Sequence, residues 1–190
     1  MRRLTAIVGT LALGAIATGC GTSAAVEAQC SRPSSAIFVL AAQSVPDATL
    51  IPCVKTLPSG WSPGGSEIVD GRMTFWLNSD RAGVRALEVD LLPSCDVSDA
   101  VEVAPAPGEV GTRRYEQPIS LQPSYSGNRY YLFSGGCITY RYRFQAGAST
   151  TLALEADEAL SFTPRSVVVA AVQNDLGLSL CGVGAPPCAG

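Results

Sequence analysis

Strand signals through the middle of the chain, followed by helix signals towards its end, predict an α+β fold: an antiparallel sheet of about five strands with two or three helices packed on one face. Three observations carry that reading. Residues 72–78 and 137–144 alternate apolar and polar side chains with period two. Asp70-Gly71 and Ser134-Gly135-Gly136 stand between such runs, where tight hairpin turns need residues that accept positive φ. Leu152, Ala156, Ala159 and Leu160 then recur at helical spacing.

Taken in order, residues 35–45 read as a short helix from Ile37, Leu40, Ala41 and Ser44, closed by Pro46, although residues 37–40 also suit a strand. Prolines at 52, 58 and 63 with glycines at 60, 64 and 65 predict an irregular loop over 46–65. Residues 66–69 and 72–78 form a hairpin about Asp70-Gly71, and a turn at 80–83 leads into a strand over 84–92. Residues 93–118 lack periodicity and read as a long loop fixed near Cys95. A second hairpin joins 129–133 to 137–144. A helix is expected over 150–162. Thr163-Pro164 then caps another helix that ends near Gly177, and Leu176, Leu178 and Leu180 alternate as in a terminal strand.

The 190 residues suit one domain, and they include no histidine and a single lysine, Lys55. The missing imidazole excludes Ser-His-Asp and Cys-His nucleophile activation and every histidine-ligated metal site. No metal or other cofactor is expected. Gly60-Trp61-Ser62-Pro63-Gly64 matches the GxSxG pattern, but Pro58, Pro63 and Gly65 deny it the strand-to-helix context that a nucleophile elbow requires.

At the N-terminus Met1-Arg2-Arg3 precedes an uncharged apolar run over 4–18, which reads as an export signal and is too short for a spanning helix. Ala17-Thr18-Gly19-Cys20 resembles the lipobox of bacterial lipoproteins, with Ala17 where leucine is usual. The resemblance implies that Cys20 is diacylglycerated and becomes the first residue of the mature chain. It also places the protein on the extracytoplasmic face of the cell membrane. The expected organisation is then a signal peptide over 1–19, an anchor and flexible tether over 20–35, and one α+β domain over 36–190. Cleavage after Ser23-Ala24-Ala25 would instead release a secreted chain starting at Val26.

Either cut leaves Cys30, Cys53, Cys95, Cys137, Cys181 and Cys188, an even set of disulfide candidates in an exported protein, with connectivity open. Loss of Arg2 and Arg3 with the signal leaves 11 basic against 16 acidic side chains. That balance argues against a nucleic-acid partner, and it leaves membrane attachment to the acyl chain.

In the predicted sheet, Met73, Phe75 and Leu77 share one face, and Arg72, Trp76, Glu88, Asp90, Arg141 and Arg143 share the other. If helices cover the first, the second is a candidate site for a polar envelope ligand or an envelope protein. Trp76 would serve as platform and the arginines would address anionic or hydroxyl groups. A solvated face of weak ion pairs is the plainer alternative. Glu88 and Asp90, two apart on one strand, also allow a glycan-hydrolase reading, although paired acids normally face each other across a cleft.

Overall fold

The computed structural model describes residues 28–188. The proposed signal, Cys20 and the first part of the tether lie outside them. In chain order the elements are α1 (Ala36–Ser44), β1 (Leu50–Val54), β2 (Trp61–Val69), β3 (Arg72–Ser79), β4 (Gly83–Leu92), β5 (Val101–Val103), β6 (Arg113–Ser120), β7 (Ser126–Phe133), β8 (Gly136–Arg143), α2 (Thr151–Ala159), β9 (Leu160–Pro164) and α3 (Arg165–Leu176). The fold is α+β with two antiparallel sheets, a large one ordered β2-β3-β4-β8-β7-β6-β5 and a small one of β1 and β9.

Two meanders build the large sheet. Gly71 at φ +73° turns β2 into β3, and Gly135 at φ +75° turns β7 into β8, conformations that a side chain with a Cβ resists. The meanders join where β4 pairs with β8, from Leu87 opposite Tyr142 to Leu92 opposite Cys137. Period-two alternation sends Met73, Phe75, Leu77, Leu87, Val89, Leu91, Ile138, Tyr140 and Tyr142 to one face, where all are buried. Ile37, Phe38 and Ala41 of α1, Ile51 of β1 and Val168 and Val172 of α3 belong to the same core cluster. Each large apolar side chain so buried contributes about 1.5–3 kcal/mol.

The large sheet has seven strands, two more than expected, because β5 and β6 arise from the second segment read as a loop, while the first holds a strand of the small sheet. Residues 46–65 contain β1 and the first half of β2. The proline and glycine signals there mark edges: Pro52 lies in the two-stranded sheet, and Pro63, Gly64 and Gly65 lie where outermost β2 shifts register against β3. Residues 93–118 contain β5 and most of β6. The helix expected over 150–162 stops at Ala159, and the chain runs on extended as β9, which pairs with β1 from Leu50 opposite Pro164 to Val54 opposite Leu160. The last helix therefore starts at Arg165, with Pro164 in the capping position. It ends at Gly177, φ +65°, but no terminal strand follows among the described residues, and Leu178 is 54% exposed.

All six cysteines pair: Cys30 with Cys53, Cys95 with Cys137 and Cys181 with Cys188. Packing also reaches into the segment expected to be a tether. Ala28 is fully buried, its carbonyl accepts from the Val54 N–H at 2.7 Å, and the Cys30 N–H donates to the Val54 carbonyl at 2.9 Å.

Candidate functional site

The face opposite the core brings four of the six predicted residues together and closes them on one another. Register places Trp76 opposite Glu88, and Glu88 opposite Arg141. Arg141 Nη2 donates to Glu88 Oε1 and to Asp90 Oδ2, both at 2.5 Å. Asp90 is 1% exposed and accepts from Thr74 Oγ1 at 2.7 Å. Burial pushes its carboxyl up from the ordinary range, against the hydrogen bond from Thr74 and the charge of Arg141. Arg72 and Arg143 stand apart: Arg72 reaches Glu67 at 3.6 Å, and Arg143 is exposed with no ion pair among the described residues.

A residue absent from that prediction, Arg85, decides what Trp76 can do. It sits at φ +49°, in the left-handed region, with its N–H held by Asn78 Oδ1 at 2.9 Å. The β3–β4 register shifts just there, between Leu77 and Ser79, and such an irregularity re-aims a side chain. The guanidinium lies 4.2 Å above the Trp76 ring and donates to Glu88 Oε2 at 2.6 Å. The Trp76 ring also leans on the strand beside it, where a Cβ on Gly64 or Gly65 would come within 2.3 and 2.5 Å of the ring. Platform and carboxylates are thus already partnered from within the chain. A hydrolase reading fares no better, since Glu88 and Asp90 share one guanidinium nitrogen and point the same way.

The other face of the same sheet holds a different site. Across one inward row the residues run Phe75, Val89, Tyr140, Arg129, Glu116, so the row turns from apolar to charged between β8 and β6. There the sheet, α2, β9 and the loop between β5 and β6 enclose a pocket of about 390 Å³. Tyr131, Tyr140 and Phe162 form one wall, with ring centroids 5.0 Å apart for the first pair and 4.9 Å for Tyr131 and Phe162. Leu154, Leu160 and Pro107 add apolar lining, and Lys55 and Glu158 stand at the exposed rim.

Charges in this pocket are coupled in a chain. Arg129, 8% exposed, donates through Nε to Glu116 Oε1 at 3.0 Å and through Nη1 to Asp157. Asp157 also accepts from the Tyr142 hydroxyl. Arg114 donates to the same Glu116 oxygen through Nε at 3.1 Å and stands 3.5 Å from Glu109 of the overlying loop. Burial opposes the charge on Arg129, but the Asp157 carboxylate hydrogen-bonded to it favours that charge, and its pKa lies above the ordinary arginine value. Burial pushes the Tyr140 and Tyr142 hydroxyls well up, so both stay neutral.

Sequence reasoning passed over this pocket, although two signals in it were readable. Strand alternation puts Arg129 on the same face as Tyr131, an inward arginine that must find carboxylates. Asp157 lies four residues after Ala153 and three before Leu160, on the buried side of α2, apart from the exposed Glu158.

No family model matches the chain, and no curated protein does. One solved structure resembles it, a crystal structure of a protein from Bacteroides thetaiotaomicron, with 13% identity, a TM-score of 0.34, and coverage of 68% of this chain. The chain spans 60% of that protein's length, and a likeness so distant carries no argument about fold or function.

Proposed function

We propose that the protein is an exported bacterial lipoprotein, tethered by acylated Cys20 to the extracytoplasmic face of the cell membrane, whose α+β domain binds a ligand or scaffolds in the cell envelope and catalyses nothing. The observation that carries the binding half is the pocket. It joins aromatic walls to a few converging polar groups, and its 390 Å³ falls within the range of about 300–1,000 Å³ common for small-molecule sites. Its arginines and carboxylates hold one another in place, which suits positioning a bound molecule better than moving protons. The anchoring half rests on the lipobox-like Ala17-Thr18-Gly19-Cys20.

Two measurements test the halves separately. Intact mass of the protein extracted from its own membranes should match a chain starting at acylated Cys20; a start at Val26 overturns the anchor. For binding, the low-molecular-weight fraction of the envelope should raise the melting temperature of the folded domain, since a ligand present at 100 times its Kd stabilises by about 2.7 kcal/mol. A protein captured from the envelope without any such rise would favour scaffolding, and turnover of an envelope component would refute the non-catalytic reading.

A further inference from the structure

We infer that the pocket takes a neutral, hydroxyl-bearing sugar ring, contacted by the Tyr140 hydroxyl. The inference deepens the binding reading above and rests on it.

Tyr140 supplies the first reason. Its side chain is 2% exposed, and its hydroxyl makes no hydrogen bond to any described residue. Among the described residues the side-chain atoms both sealed and unpartnered are Ser35 Oγ, Trp61 Nε1 and Arg141 Nε. The Tyr140 hydroxyl is unpartnered without being sealed, so its accessible side is the pocket that it lines. A buried hydroxyl left open in this way is a donor and acceptor waiting for a partner.

Charge selects that partner. Lys55 and Glu158 stay at the exposed rim, whereas inside the pocket Arg114 and Arg129 are both bound to carboxylates, so an anion held there would have to strip a buried guanidinium of its counter-ion. A cation would have to draw Glu109 or Asp157 away from the same arginines. An uncharged polyol can take hydrogen bonds from the network while leaving every ion pair intact. The aromatic wall selects further, because a sugar ring has C–H faces that can pack on Phe162, the part-exposed ring backed by buried Tyr131, while its hydroxyls reach the polar side. The volume suits a mono- or disaccharide unit, free or at the end of an envelope glycan.

The test is saturation-transfer NMR on the folded chain with glucose, N-acetylglucosamine and chitotetraose, and with citrate and tetramethylammonium as charged probes. Transfer to the ring protons of at least one neutral sugar is expected. Response to the monosaccharides indicates a free sugar, and response to chitotetraose alone indicates a glycan end. Tyr140→Phe, which deletes only the hydroxyl, should weaken that sugar about tenfold with the melting temperature unchanged. Should that variant fail to fold, Leu154→Trp, at a 61% exposed position on the rim, should block the pocket from outside. Undiminished sugar binding in a folded Tyr140→Phe variant overturns the inference, as does binding that survives Leu154→Trp where Tyr140→Phe does not fold, and as does the absence of transfer to any neutral sugar. Binding of a charged probe, lost in Leu154→Trp, would overturn the sugar class and keep the binding pocket. If neither the probes nor the envelope fraction bind, the binding reading falls as well.

Discussion

Arg165 is 1% exposed and makes no direct ion pair among the described residues, the Asp47 carboxylate acting on it only at longer range. Its guanidinium instead donates to three carbonyls, those of Ala42 at 2.5 Å, Cys181 at 2.6 Å and Val183 at 3.1 Å, tying the end of α1 to the C-terminal segment. Burial lowers its pKa, so the charge is held at a cost that these carbonyl dipoles offset. Arg165→Met removes the charge but strands the carbonyls, and should lower stability by about 3 kcal/mol, read as a fall in the urea midpoint at unchanged slope. Asp90 gives a prediction in pH. Its raised pKa means that the folded chain keeps this proton longer than the unfolded chain does, so its stabilising contribution is full below the ordinary carboxylate pKa and is lost as pH rises through the folded value. The unfolding free energy of wild type relative to Asp90→Asn should therefore fall as pH rises above about 4, where the unfolded carboxyl is already charged. A difference that grows over that range would contradict the raised pKa.

The elements show which local signals survive packing and which are overridden. β3, β4 and β8 were readable because one face of each lies on the core and takes an apolar residue at every second position, while the positions between stay mostly polar even where, as at Thr74, Asp90 and Thr139, they too are buried. β6 was not, because its residues on that side are Arg114, which lines the pocket, Glu116, which binds Arg114 and Arg129, and exposed Pro118, and such a row leaves no hydrophobic period. β9 was hidden for another reason. Leu160 continues the apolar spacing of α2, and only its pairing with Val54 of β1, remote in sequence, turns the chain extended. Residues 93–100 are a real connection, and the Cys95–Cys137 disulfide holds them against β8, with Cys95 Sγ 3.2 Å from Thr139 Oγ1. That bridge closes a sequence separation of 42, against 7 for Cys181–Cys188. Loop entropy then predicts that replacing both partners by serine costs about 4 kcal/mol for the first and about 2.5 kcal/mol for the second. Urea unfolding of the two double variants checks the order, which should reverse only if the short bridge also supports the Arg165 clamp on the Cys181 carbonyl.

Over the whole molecule, the division into strands and then helices was legible from pattern alone, whereas the pocket depends on segments that meet only in the fold: strands β6 to β8, the loop before β6, α2 and β9. The residues predicted for an open-face site are partnered within the chain for a related reason. Composition placed Trp76, Glu88, Asp90 and Arg141 together, but it could not show that Arg85 turns back over the indole. Charge at this scale bears on attachment. Removal of residues 1–19 leaves 11 basic against 16 acidic side chains, so the domain is repelled by an anionic lipid surface and no electrostatic term holds it there. Raising salt screens repulsion as well as attraction, and beyond about 10 Å at 0.1 M both are already weak. Under the lipoprotein reading the protein should therefore stay with sedimented membranes through a high-salt wash and leave them with detergent. Cys20→Ser should move it to the soluble fraction without changing its melting temperature. Release by salt alone would point to a charged partner in place of an acyl chain, and membrane retention of Cys20→Ser would assign the attachment to some other contact.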